Sequence, residues 1–170
     1  MKTNNHPLAL AGLILVCAGL AGTAGLALAG DPDGRDAGVA RGRYLVEIAG
    51  CNDCHTPGYA AAGGATPESE WLLGDPIGWE GPWGTTFAPN LRHYFQARTE
   101  AQWVEAAASF SARPPMPWFN VRRMSETDLR AIYRYARSLP VAGEAMPAYL
   151  PPGVKARGPV VAFPSPPAAH

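Results

Sequence analysis

The chain has 170 residues with 14 basic and 14 acidic side chains, enough for one domain with a modest core. Without a charge excess or a basic block, it lacks the electrostatic footprint of a nucleic-acid binder. Nineteen glycines and eighteen prolines argue against long uninterrupted helices and for a loop-rich fold.

Lys2 is followed by an uncharged run from Leu8 to Leu28 that closes on Ala27-Leu28-Ala29. This pattern predicts a signal peptide over 1–29, cut between Ala29 and Gly30. The alternative is an uncleaved anchor, since a run of about 20 apolar residues can span a bilayer. The run is rich in Gly and Ala, which insert weakly, so cleavage is the expectation, with membrane association only if the segment stays. Cys17 then leaves with the signal, and Cys51 and Cys54 remain. Both have another use, so no disulfide is expected.

Residues 30–37 read as a flexible lead-in, with Asp36 able to cap the first helix. That helix is predicted over 38–49, with Val39, Leu45, Val46 and Ile48 as its apolar set and Gly50 as its stop. Gly42 in its middle costs about 1 kcal/mol relative to Ala; close approach of a second helix would account for it. The helix runs into Cys51-Asn52-Asp53-Cys54-His55, a C-x-x-C-H attachment signal for c-type haem. Two cysteines at this spacing reach the two vinyl groups of one porphyrin, and the histidine after the second sits under the iron. A zinc site would need two more ligands of similar spacing, and a thioredoxin-like pair would need a βαβ setting. Neither surrounds the motif. It occurs once, so one haem c is expected.

From Thr56 to Arg92 periodicity disappears among glycines and prolines, with Trp71, Trp79, Trp83 and Phe87 spread through it. A structureless stretch of that length is unusual unless it wraps something, and a haem edge is a suitable object. Trp83 and Asn90 are candidate donors to its propionates through indole N–H and amide. Thr99-Glu100-Ala101-Gln102 has the form of a capping box and predicts a helix over 100–110. Arg113-Pro114-Pro115-Met116-Pro117-Trp118 is stiff and extended. Ser125 caps a last helix whose apolar face is Leu129, Ile132, Tyr133, Ala136 and Leu139, closed by Pro140. Residues 141–170 read as a proline-rich tail or a strap over the domain.

An iron on His55 needs a sixth ligand or an open position. Met116 is the candidate, because its proline-flanked segment can hold one sulfur at a fixed place. Met124 lies just before a helix cap and Met146 in the tail. The runner-up is His93; His6 leaves with the signal and His170 ends the tail. The leading function is an electron carrier rather than an enzyme. The alternative is a haem enzyme or a gas or redox sensor with an open or displaceable sixth ligand, or a redox subunit fixed within a larger complex.

Arg41–Leu45, Gly50–Thr56, Gly84–Leu91, Met116–Trp118 and Asp128–Tyr135 together resemble the class I mono-haem bacterial cytochromes c. They are also similar to the cytochrome c subunits of membrane-bound alcohol and aldehyde dehydrogenases. The resemblance covers about residues 38–140. It implies an all-α fold of three to four helices around one covalent haem, with long Gly/Pro-rich loops. It also implies a close crossing of first and last helices at Gly42 and Tyr135, with Tyr44 nearby, and His/Met ligation carried onto His55 and Met116. Electron transfer in the periplasm is implied as well, with a dehydrogenase as donor and a terminal oxidase or another cytochrome as acceptor. The chain departs from the dehydrogenase subunits at Arg92–Arg98, where those carry an acidic, glycine-bearing stretch.

Overall fold

The computed structural model describes residues 35–164. The expected signal segment with His6 and Cys17, the first part of the lead-in and His170 lie outside the described residues. Helix α1 spans Arg35–Ile48 and α2 Cys51–His55. After a 3-10 turn at Glu68–Glu70 come strands β1 (Asp75–Gly81) and β2 (Gly84–Ala88). Helices α3 (Leu91–Gln96), α4 (Glu100–Ser109), α5 (Trp118–Arg123) and α6 (Glu126–Ser138) come next, then strand β3 (Val160–Ala162).

The core forms where α1 crosses α6. A Cβ on Gly42 would lie 2.0 Å from the Ala131 carbonyl oxygen and 2.7 Å from Tyr135 Cβ, so only hydrogen fits there. Leu45, Val46, Leu129, Ile132, Tyr135 and Ala136 are buried around that contact. Each fully buried large aliphatic is worth about 1.5–3 kcal/mol. Tyr44, two residues on from Gly42, is half exposed, with the Arg41 guanidinium over its ring. Helix α4 begins with the reciprocal Thr99–Gln102 capping box and packs on α6 through Trp103, whose Nε1 donates to the Leu129 carbonyl (2.8 Å). Glu100 ties the same two helices from outside, with Arg130 at 2.8 Å and Arg134 at 3.0 Å. Burial alone would raise the Glu100 carboxyl, but the hydrogen bonds from Arg134 and Arg130 outweigh it and hold it below the usual carboxylate range.

The all-α expectation is corrected: the fold is mostly helical with a small three-stranded sheet, in the order β2-β1-β3. Strands β1 and β2 form an antiparallel hairpin with Trp79 opposite Thr86 and Gly81 opposite Gly84, in the stretch that reads as aperiodic. Strand β3 lies parallel to β1, Trp79 opposite Val161. The chain between α6 and β3 is a strap laid over this hairpin. Leu150 exchanges two backbone hydrogen bonds with Thr85 (2.8 and 3.0 Å). Tyr149 donates its hydroxyl to the Trp83 carbonyl (2.8 Å). Among the described residues no helix is long and apolar enough to cross a membrane.

Candidate functional site

Helix α2 starts from Gly50, whose φ of 70° lies in the left-handed region that glycine enters without steric cost. One turn carries Cys51, Cys54 and His55 to the same side, where they line an apolar cavity of about 400 Å³. Val46 and Ile132 line it from the helical core, Trp79, Thr86 and Phe87 from the hairpin, and Leu91, Tyr94 and Phe95 from α3. The segment after α4 adds Phe110, Arg113, Pro115 and Met116, and the strap adds Tyr149. Its size falls within the range of small-molecule and cofactor sites, about 300–1,000 Å³.

His55 is buried, and its Nδ1 donates to the Pro89 carbonyl at 2.8 Å. That bond fixes the tautomer and leaves the lone pair on Nε2. Desolvation lowers the imidazole from its ordinary pKa, against the opposing pull of the Pro89 bond, so the ring is neutral, as a metal ligand must be. The two cysteines are free thiols. Burial pushes Cys51 up to about 11. Cys54 is raised in the same direction by burial and then by Asp53 and Asp75. Around α2, the Thr56 hydroxyl donates to Asn52 Oδ1 and accepts from Leu72 N–H, both at 2.8 Å. The Gly74 N–H reaches the His55 carbonyl at 2.8 Å.

The cavity therefore brings together Cys51, Cys54, His55 and Met116, and it adds Met124. It does not bring in Trp83, Asn90, His93 or Met146. Asn90 caps α3 by accepting from the His93 N–H (3.2 Å), and its amide donates to the Ala142 and Glu144 carbonyls (2.8 and 3.3 Å). Trp83 lies in the hairpin turn against Phe163, ring centroids 5.3 Å apart. Met146 packs over Gly74. Sequence reasoning missed Trp79, Arg113 and Tyr149. Their signal is a register, Trp79 opposite Thr86 and Leu150 opposite Thr85, which no periodicity announces.

Among the described residues His55 is the one histidine on the cavity wall, and both cysteines there stand at the attachment spacing, so an iron on His55 would take its second axial ligand from a side chain of another kind. Met116, on the wall of the same cavity, is of that kind. A c-type haem fits this donor set: two thiols at the attachment spacing, a neutral imidazole held through Nδ1, and a thioether in a largely apolar wall. Trp79 also lines the cavity; its indole N–H is buried with no partner among the described residues.

No family profile matches the chain, and no solved structure matches it. Among curated proteins it is similar to the cytochrome c subunit of quinone alcohol dehydrogenase from Gluconacetobacter polyoxogenes and to that from Komagataeibacter europaeus. Identity is 32% in each case, over 120 residues that make up 66% of this chain and 24% of the relative. The chain spans about a quarter of the length of these relatives. The relationship is thus a distant one to cytochrome c-like proteins.

Proposed function

We propose that this chain is an exported mono-haem cytochrome c that carries single electrons. In this proposal the haem is held by thioethers to Cys51 and Cys54, with His55 and Met116 as axial ligands. The observation that carries the reading is the meeting of these four side chains on one apolar cavity wall. The haem would supply a one-electron couple; the chain does the rest. His55 is kept neutral by burial and aimed by Pro89. Trp79, Phe87 and Phe95 exclude water, which makes charge changes inside the cavity more sensitive to nearby protein dipoles. The Thr86 hydroxyl donates to the Pro114 carbonyl at 2.7 Å and so steadies the segment that presents Met116. A thioether ligand raises the potential and closes the sixth position. We further propose that the chain works in the periplasm, delivered by residues 1–29. Its electron donor is a quinone-type alcohol dehydrogenase, the enzyme named in its relatives, and its acceptor is a terminal oxidase or another cytochrome.

The test is the optical spectrum of protein made with a haem-attachment system, oxidised and reduced, with and without carbon monoxide. A c-type reduced band, a near-infrared sulfur-to-iron band in the oxidised form and no carbon monoxide shift are expected. Met116→Ala should abolish the near-infrared band. Met124 also lines the cavity, so Met124→Ala is the matched comparison; loss of the band there instead would move the axial role to Met124. A clear carbon monoxide shift in the unaltered protein would replace the carrier with a ligand-binding haem protein.

A further inference from the structure

The strap and β3 together, residues 141–164, run along both edges of the β1–β2 hairpin. On the β2 edge Leu150 pairs with Thr85 through its backbone. On the β1 edge the Gly78 N–H donates to the Pro159 carbonyl (2.9 Å) and the Phe163 N–H donates to the Glu80 carbonyl (2.8 Å). Covering both edges keeps the hairpin from offering unpaired backbone to another strand. Yet none of residues 141–164 is buried, and Val141, Val154, Val160 and Val161 are exposed. What holds the segment, apart from its backbone bonds, lies at the surface. The Tyr149 hydroxyl bonds to Trp83, the Asn90 amide holds Ala142 and Glu144, and Phe163 meets the Trp83 ring. The Arg113 guanidinium lies 3.7 Å from the Tyr149 ring centroid.

The seat of the strap is shallow. A Cβ on Gly84 would lie 2.2 Å from the Leu150 carbonyl oxygen, and one on Gly74 would lie 2.6 Å from Met146 Cγ. At both places the strap rests on bare backbone, with no side chain interlocked beneath it. Such a segment can leave by exchanging hydrogen bonds for water, with little apolar surface to expose, while the α1–α6 crossing stays packed. Its departure reaches the cavity. Tyr149 is part of the cavity wall, and Thr85, the partner of Leu150, precedes Thr86. Thr86 lines the cavity and holds the Pro114 carbonyl, two residues before Met116.

We propose that residues 141–164 are a latch, which lifts from the hairpin as a unit while the helices stay folded and admits small iron-binding molecules to the cavity on its Met116 side. The lifting does not depend on what the cavity holds; the admission rests on the haem proposed for it. Tyr149 and Phe163 fasten the latch through Trp83.

The experiment is hydrogen exchange of the haem-loaded full chain, followed amide by amide at rising urea below the unfolding transition. The N–H groups of Gly78, Thr85, Leu150 and Phe163 should exchange together, at least about a hundredfold faster than those of Val46, Ile132 and Tyr135. Their rates should depend only weakly on urea, because little surface is exposed. Tyr149→Phe removes one hydrogen bond and keeps the ring in the cavity wall. Phe163→Ala removes a ring contact outside the cavity. Each should speed the strap amides about fivefold and leave the helical amides unchanged. Imidazole is the access probe: its entry to the ferric protein, followed by stopped-flow absorbance, should accelerate by the same factor in both variants. Strap amides that exchange only with the helical ones, at the same urea-dependent rate, would overturn the latch. Faster strap exchange with unchanged imidazole entry would overturn its role as a gate. A full chain with no covalent haem would end the haem reading, and the exchange pattern would still decide the latch.

Discussion

Replacing Gly42 by Ala separates two effects that point in opposite directions. Helix propensity alone says the change stabilises α1 by about 1 kcal/mol. The structure says the opposite, because the new Cβ would sit 2.0 Å from the Ala131 carbonyl oxygen, well inside any contact a carbon makes. The obstacle is backbone on α6, not the end of a flexible side chain, so relief requires the two helices to move apart. Overpacking of this kind costs about 1–3 kcal/mol; an unyielding neighbour puts the cost near the top, about 3 kcal/mol. Subtracting the propensity gain leaves a net loss of about 2 kcal/mol. For a domain of this size that lowers Tm by about 8 °C. Urea and thermal unfolding monitored by far-ultraviolet circular dichroism measure it directly. Equal or greater stability in Gly42→Ala would refute the packing argument and leave propensity in charge. The effect reaches the site, because α1 ends at Ile48, three residues before Cys51.

Three other contacts carry predictions of their own. Asn90→Ala removes a helix cap and two bonds to the strap, so it should cost about 1–2 kcal/mol in urea unfolding. If Asn90 were instead a cofactor donor, the reduced spectrum or potential would move as well; neither should. Thr86→Val removes the bond to Pro114 that steadies the Met116 segment. Losing about 1 kcal/mol there should raise the fraction with a displaced sulfur about fivefold, read as faster carbon monoxide binding to the reduced protein. The Glu100 carboxyl, held below its unfolded value, contributes stability that is present above about pH 4.5 and lost as pH falls through its lower folded value. Glu100→Gln should therefore shallow the acid limb of stability by no more than about 1 kcal/mol, because the pair is partly exposed; an unchanged limb would refute it.

The longer helices were legible because each carries its own punctuation. Thr99 and Gln102 bond reciprocally as the spacing demands, and Ser125 caps α6 by accepting from the Asp128 N–H (3.1 Å). Gly50 ends one helix and starts the next. The short helices α3 and α5, six residues each, are below the length at which periodicity can be counted; packing holds them in place, not propensity. The hairpin stayed hidden because its strands hold Gly78, Gly81 and Gly84, which no β-propensity favours. The warning was the length of the stretch without elements, which exceeds what a compact domain leaves unstructured. At the site, C-x-x-C-H is a local signal, and its Cys51, Cys54 and His55 share one cavity wall with Met116. That Trp79 and not Trp83 lines the cavity could be read only with the hairpin register in hand.

The strap also fixes an order of events. Tyr149 contributes the wall of the cavity furthest along the chain, and β3 closes the sheet later still. The site is therefore complete only when the far end of the chain is in place. A chain cut before Tyr149 would keep Cys51, Cys54 and His55 on α2 but would lack the strap's side of the cavity wall and the strand that pairs with β1.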